Sequence, residues 1–315
     1  MAGCGRLPGT VASPVRAHTV GFLAPSTSPG AVLYFDVLRQ GLQELGYMEG
    51  TNLVLALRSA DGRIERYPAL VTELVGLSVD VLVTTSPPST RAAKSVTQTI
   101  PIVMAVSSDP VPSGLITSLA HPGGNVTGLS ALTPQLSGKR LELLTQAVPN
   151  IREVAVLWNA ADPDKALDFA ETQAAAQVLG LHLTSLEVRA PDEFADVFGA
   201  AQDAHPDALI ILEDPLTVVY EAQIVEWAAQ SRLPAMYETP TAAHAGGLIA
   251  YGPRLTSLFH RAAYYVDRIL QGTNPADLPV EQPMTFDFVI NLKTARALGL
   301  TIPQEVLLQT TEVIQ

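Results

Sequence analysis

The chain carries a single cysteine, Cys4, in 315 residues, which excludes an internal disulfide and any cysteine-built metal cluster. Charge is also scarce: Asp, Glu, Lys and Arg make up 16% of the chain. Basic residues number 19 against 31 acidic ones, for a net charge of −12, and the basic ones form no cluster. Nucleic acid and anionic membrane surfaces are therefore poor partners. The motifs HExxH, GxxxxGK[ST] and GxSxG are missing, and Gly3-x-Gly5 follows no strand, so it is no dinucleotide fingerprint. His18, His121, His182, His205, His244 and His260 show no ligand spacing. No catalytic residue, no metal and no cofactor is expected. Residues 111–138 are uncharged, but Pro112, Pro122, Pro134 and several glycines interrupt them, so loops and short elements are expected there, not a membrane span. Arg6 and Arg16 enclose no apolar core of signal-peptide length. Either the protein stays inside the cell, or this chain differs from, or starts downstream in, an exported precursor. Residues 1–17, rich in Gly and Pro, are expected to be loose.

What the chain does have is apolar sequence, 47% of its residues, and enough length for two domains. The pattern is strand then helix, repeated. Strands are expected at 18–23, 52–57, 79–84 and 100–105, with helices at 31–45, around 67–75 and at 89–96. Thr133-Pro134 reads as a threonine cap with proline in the first helical turn, opening a helix that ends before Pro149. The alternation then resumes: strands at 154–158, 181–188, 208–212, 234–237 and 247–251, helices at 162–180, 192–204 and 218–230. A long amphipathic helix over 254–270 follows, then a strand near 285–290 and a helix near 291–298. Two βα series in tandem imply parallel sheets with right-handed crossovers, hence an α/β protein.

In such sheets ligands bind beyond the carboxyl ends of the strands. Five polar clusters fall there: Ser26-Thr27-Ser28; Ser86 with Ser89 and Thr90; Ser107-Ser108-Asp109; Glu213-Asp214; and Tyr237-Glu238. Each of these could simply cap the next helix. Capping, however, does not require two or three successive hydroxyls, and a hydroxyl-rich cleft dotted with acids suits a small polar ligand. Asp109 reads as a cap and Asp214 as a ligand group. Trp158 and Asn159 end a strand, where the indole could stack on a ligand or pack between lobes; Tyr237 and Tyr251 are similar cases. His121-Pro-Gly-Gly-Asn125 reads as a turn before it reads as an anion nest.

Several segments together give a specific resemblance. They are Gly41-Leu-Gln-Glu-Leu-Gly-Tyr47, Ile100-Pro-Ile-Val with Asp109-Pro110, Pro122-Gly-Gly-Asn-Val-Thr-Gly128 and Gly138-Lys-Arg-Leu-Glu-Leu-Leu144. Ala250-Tyr-Gly-Pro253, Asp277-Leu-Pro-Val-Glu-Gln-Pro283 and Asn291-Leu-Lys-Thr-Ala-Arg-Ala-Leu-Gly299 complete the set. From about Thr19 to the end, the chain resembles ABC transporter substrate-binding proteins of the tryptophan/tyrosine type. The resemblance implies a type I periplasmic-binding-protein fold: two Rossmann-like three-layer lobes joined by a hinge and closing on a ligand. Lobe 1 would comprise 18–131 and 253–280, and lobe 2 would comprise 132–252 and 281–315. The ligand would be amino-acid-like, polar or aromatic, with Asp214 at the position that takes an ammonium. Pro215 stands where relatives often have asparagine, and Ser86-Pro87-Pro88 where many have Gly-Thr-Pro. An ABC permease with its ATPase, a monomeric state and a periplasmic or extracytoplasmic location are implied with it. The rival expectations are a sensing module for a receptor kinase and an enzyme such as a racemase.

Overall fold

The structure, a computed structural model, describes residues 17–315; Cys4 and the rest of the expected loose segment up to residue 16 lie outside the described residues. The first series runs β1 (His18–Ala24), α1 (Pro29–Glu44), β2 (Leu53–Ser59), α2 (Tyr67–Gly76), β3 (Val81–Thr84), α3 (Pro87–Val96), β4 (Ile102–Met104) and β5 (Val126–Gly128). These strands form one parallel sheet in the order β2-β1-β3-β4-β5. The order reverses between β1 and β3, which leaves a crevice at their carboxyl ends.

The second series begins with α4 (Ser137–Ala147), β6 (Glu153–Asn159), α5 (Pro163–Leu179), β7 (His182–Val188), α6 (Phe194–Ala204) and β8 (Ala208–Ile211). It continues through α7 (Pro215–Val219), α8 (Glu221–Gln230), β9 (Ala235–Tyr237), α9 (Pro240–His244) and β10 (Ile249–Pro253). After α10 (Leu255–Leu270) come β11 (Phe286–Asn291), α11 (Leu292–Leu298), α12 (Gln304–Leu307) and β12 (Glu312–Ile314). The second sheet has the order β12-β11-β10-β9-β8-β6-β7, and β10 pairs antiparallel with β11. Its order reverses between β6 and β8. Strands β3 and β8 are buried along their whole length, which is why they read as unbroken apolar runs.

α10 lies on the first sheet, although it follows the second series in the chain. Leu258, Phe259, Ala262 and Val266 share a core with Leu38 and Leu42 of α1 and with Val20, Phe22 and Val83 of the sheet. The chain therefore passes between the lobes three times. The passes hold one another: the Glu281 amide donates to the Gly128 carbonyl (3.1 Å), the Ser130 amide to Glu281 (2.9 Å) and the Arg254 amide to Thr285 (2.9 Å).

Three expectations need correction. Thr133 does not cap a helix; its backbone is itself helical, and its hydroxyl faces the buried Asp168 (3.3 Å). The helix expected over 218–230 is two helices. α7 starts earlier because Asp214-Pro215 is a strong start signal, and it ends at Tyr220. The strands β5 and β12 and the helices α9 and α12 are each three to five residues long, too short to leave a periodic trace.

Candidate functional site

Both crevices face each other. From the first lobe, Pro25 follows β1 and Thr85-Ser86 follow β3; from the second, Asp162 follows β6 and Glu213-Asp214 follow β8. Together they line a cavity of about 120 Å3, with Ser108, Lys165 and Glu238 also on its wall. It adjoins a larger cavity of about 490 Å3, and the two share Thr85, Val106, Glu213, Thr239 and Leu255. The larger one is walled by Phe22, Tyr34 and Phe259 on one side and by Val218, Glu221 and Ala222 on the other. Tyr34 and Phe259 are stacked, with ring centroids 4.9 Å apart. An ion pair crosses between the lobes at the rim: Arg91 Nη2 of α3 lies 2.7 Å from Asp164 Oδ2 of α5. Near α7, a methyl group placed on Gly62 would stand 3.1 Å from Val219.

Of the residues expected in the site, Ser86, Ser108 and Asp214 line the small cavity and Ser28 the large one. Ser26 is buried against the Ser28 hydroxyl (2.9 Å), and Thr27 is exposed. Ser89 is held inside a reciprocal cap with Ser86. Ser107 is fully buried, and its hydroxyl finds no partner. The side-chain cap expected at Asp109 is found at Asp214. Asp109 caps no helix and accepts from Gln135 Nε2 (2.6 Å), whereas Asp214 caps α7 through the Thr217 amide (2.9 Å) while lining the cavity. Asn159 supports Asp214 from behind, its Nδ2 2.5 Å from Oδ2.

The three aromatic candidates do not reach the cleft. Trp158 points to the same face of β6 as Val154 and Val156, stacks on Phe169 at 5.1 Å and donates to Ser185 (2.8 Å). Tyr237 is 2% exposed in the core on the opposite face of the second sheet. Tyr251 packs against Phe286 and Phe288. In each case a strand's alternation sends the ring into a lobe interior.

The cavity's chemistry lies in charges that sequence reading left out of the site. Asp162 caps α5 with Oδ1 (3.1 Å to the Asp164 amide), and its Oδ2 is buried without a partner. Burial, with the Asp214 charge behind it, pushes the Asp162 carboxyl up to about 7. Glu213 Oε1 accepts from the Glu238 amide (3.0 Å) and from the Thr239 amide (3.0 Å) and hydroxyl (3.1 Å). Burial and the neighbouring Glu238 and Glu221 nevertheless push Glu213 up to about 8. Glu238 is raised by burial too, against the pull of Arg140 and Lys165. Arg140 Nη1 lies 3.0 Å from Glu238 Oε1 but out of line for a hydrogen bond, so that oxygen has no donor. Lys165 Nζ is 2.5 Å from Asp168 Oδ2. Burial opposes its charge, but Asp168, Glu238 and Asp162 outweigh that and hold it above its ordinary value. Glu238 can approach β10 because residue 252 is glycine; a Cβ there would fall 2.1 Å from the Glu238 carbonyl oxygen.

A two-lobed fold with joined cavities of about 120 and 490 Å3 between facing strand ends is the architecture of a solute trap. The profile of the family described as ABC transporter substrate binding protein matches residues 20–314. This chain belongs to that family. A tyrosine-binding protein of Clostridioides difficile (strain R20291) is 25% identical over 262 residues, 83% of this chain and 75% of that one. The ABC domain in complex with L-Trp from Streptococcus pneumonia is 26% identical with a TM-score of 0.88, covering 95% of this chain and 100% of its own. A conserved domain protein from Vibrio cholerae is 28% identical with a TM-score of 0.89, over 95% and 100% of the two chains. Membership makes the chain a solute-binding component of ABC transport, in a family of binding proteins that typically works outside the cytoplasm. Among the described residues no helix is long and apolar enough to cross a membrane.

The missed carboxyls left a partial trace in the sequence. Asp162 was read only as a helix start, and Glu213 and Glu238 only as members of polar clusters. Their burial leads to a pH dependence. Asp214, Lys165 and Asp164 face Asp162, while Glu238 and Glu221 face Glu213. The unfolded chain has lost both protons by about pH 5. The folded chain gives them up only as the pH passes about 7 for Asp162 and about 8 for Glu213. Unfolding therefore releases protons in this window, and stability falls as the pH rises. Urea unfolding of the ligand-free protein should lose on the order of 2–4 kcal/mol between about pH 5 and about pH 8.5. Glu213→Gln should flatten that slope. A stability that rises through the window would show that these carboxyls are ionised at no cost.

Proposed function

We propose that the chain captures a small solute with an amino head group and an apolar or aromatic body. It passes this solute to a membrane permease driven by an ATPase, acting as a monomer on the outer side of the membrane. The observation that carries this reading is the pair of joined cavities: a small acidic one beside a larger one walled by Phe22, Tyr34 and Phe259. The small cavity suits a polar head and the larger one a ring. Lobe closure removes water from both, so each charge on the ligand must meet a partner in the wall. Tyrosine and L-Trp, which the Clostridioides difficile and Streptococcus relatives bind, have this two-part build.

A thermal-shift screen of amino acids, amines, aromatic acids, amides and nucleosides tests it, since a ligand that binds only the folded form raises the melting temperature. Aromatic, amine-bearing compounds should give the largest shifts. Shifts confined to nucleosides or to simple anions would overturn the reading.

A further inference from the structure

We propose that the solute is an arylalkylamine, an organic ammonium ion on an aromatic body with no carboxylate, and not an amino acid. This rests on the cleft reading above and narrows it. The small cavity is walled by Asp162, Glu213, Asp214 and Glu238, with Lys165 as its one cation. That lysine is engaged by the buried Asp168 at 2.5 Å. Arg91 is engaged by Asp164 (2.7 Å), and Arg140 by the carbonyls of Tyr251 (3.0 Å) and Thr133 (3.1 Å) through Nε and Nη1; its Nη2 is buried without a partner, but Arg140 is not among the residues that wall the cavity. On the acidic side, Asp162 is 1% exposed and its Oδ2 has no donor. Glu213 Oε2 receives no hydrogen bond from the described residues either. Positive charge is what this wall lacks.

A carboxylate on the ligand would need N–H donors, and the start of α3, which borders the cavity, offers none. Pro87 and Pro88 have no amide hydrogen. The Ser89 amide donates to Ser86 Oγ (3.4 Å) and the Thr90 amide to the Ser86 carbonyl (3.0 Å). The amides of Thr85 and Ser86 both donate to Ser89 Oγ (3.2 and 3.1 Å), and the Thr85 hydroxyl to the Leu23 carbonyl (2.8 Å). The start of α3, the helix end nearest the acids of the small cavity in the first lobe's wall, is therefore closed on itself. A carboxylate brought there would also face the carboxyls opposite, whereas an ammonium satisfies them.

Calorimetric titration of the full chain tests this with three matched sets: tryptamine, L-tryptophan and indole-3-acetate; tyramine, L-tyrosine and 4-hydroxyphenylacetate; phenethylamine, L-phenylalanine and phenylacetate. At least one amine should bind at least about tenfold more tightly than its amino acid, and the acids should give no binding heat. Asp162→Asn, which keeps the cap on α5, should weaken the amine by at least about tenfold without lowering the urea midpoint. An amino acid that binds as tightly as its amine, or an Asp162→Asn variant that binds the amine unchanged, overturns the inference and leaves the cleft reading standing. If no compound of any set binds, both the inference and the cleft reading fail.

Discussion

Arg140→Ala should remove about 3–5 kcal/mol of folding stability in urea unfolding. Arg140 is the largest fully buried side chain among the described residues. From α4 it reaches the carbonyl of Thr133 in the first crossing segment, the carbonyl of Tyr251 in β10 and the carboxylate of Glu238 after β9. Alanine would remove the guanidinium's donor from the Tyr251 carbonyl and one of two donors from the Thr133 carbonyl, which keeps the Leu136 amide (3.3 Å), and would leave a void and a buried carboxylate without its nearer counter-charge. Glu238 would then hold its proton to higher pH, so the loss should grow as the pH rises. Arg140→Lys should recover only part of the loss, because an ammonium cannot span acceptors on three elements as a planar fork does. Removing both charges, in Arg140→Met with Glu238→Gln, should be milder than Arg140→Ala alone. An Arg140→Ala variant with the wild-type midpoint would mean that this cluster does not hold the second lobe to the hinge.

Asp214→Ala should weaken binding of an ammonium-bearing solute by about 2–5 kcal/mol, measured by calorimetry. Part of this is charge and part is structure, and the geometry separates them. Oδ1 caps α7 through the Thr217 amide (2.9 Å) and accepts from the Thr217 hydroxyl (3.0 Å). Oδ2 takes Asn159 Nδ2 (2.5 Å). Losing the cap alone costs about 1 kcal/mol of stability. Asp214→Asn keeps a capping oxygen and removes the charge but sets its amide nitrogen against Asn159 Nδ2, so it should fold with some loss of stability while binding poorly. If the asparagine variant binds as the wild type does, Asp214 is a cap and nothing more.

The alternation of strand and helix was legible because parallel strands buried on both faces leave apolar runs such as Val81–Thr84 and Ala208–Ile211, and because Asp162-Pro163 and Gly180 mark both ends of α5. Elements of three to five residues, β5, β12, α9 and α12, left no such mark. The site was half legible for a related reason. Polar residues just after buried strands were read at the right edge, and Ser28, Ser86, Ser108 and Asp214 do reach the cavities. Which neighbour turns inward to cap, as Ser89 does, is set by local hydrogen bonds. Whether a ring faces cleft or core, as with Trp158 and Tyr237, depends on strand phase. The buried charges were hardest: Arg140 pairs with Glu238 from a distant element, which nothing local announces, and the i,i+3 spacing of Lys165 and Asp168 announces a pair but not its burial.

The most direct measurement is a crystal structure grown with the solute that gives the largest thermal shift. Its nitrogen should lie within about 3 Å of a carboxylate oxygen of Asp162, Glu213, Asp214 or Glu238. Its body should fill the space between Phe22, Tyr34 and Phe259. A solute bound outside the cleft, or one whose anionic group is seated among those acids, would contradict the account.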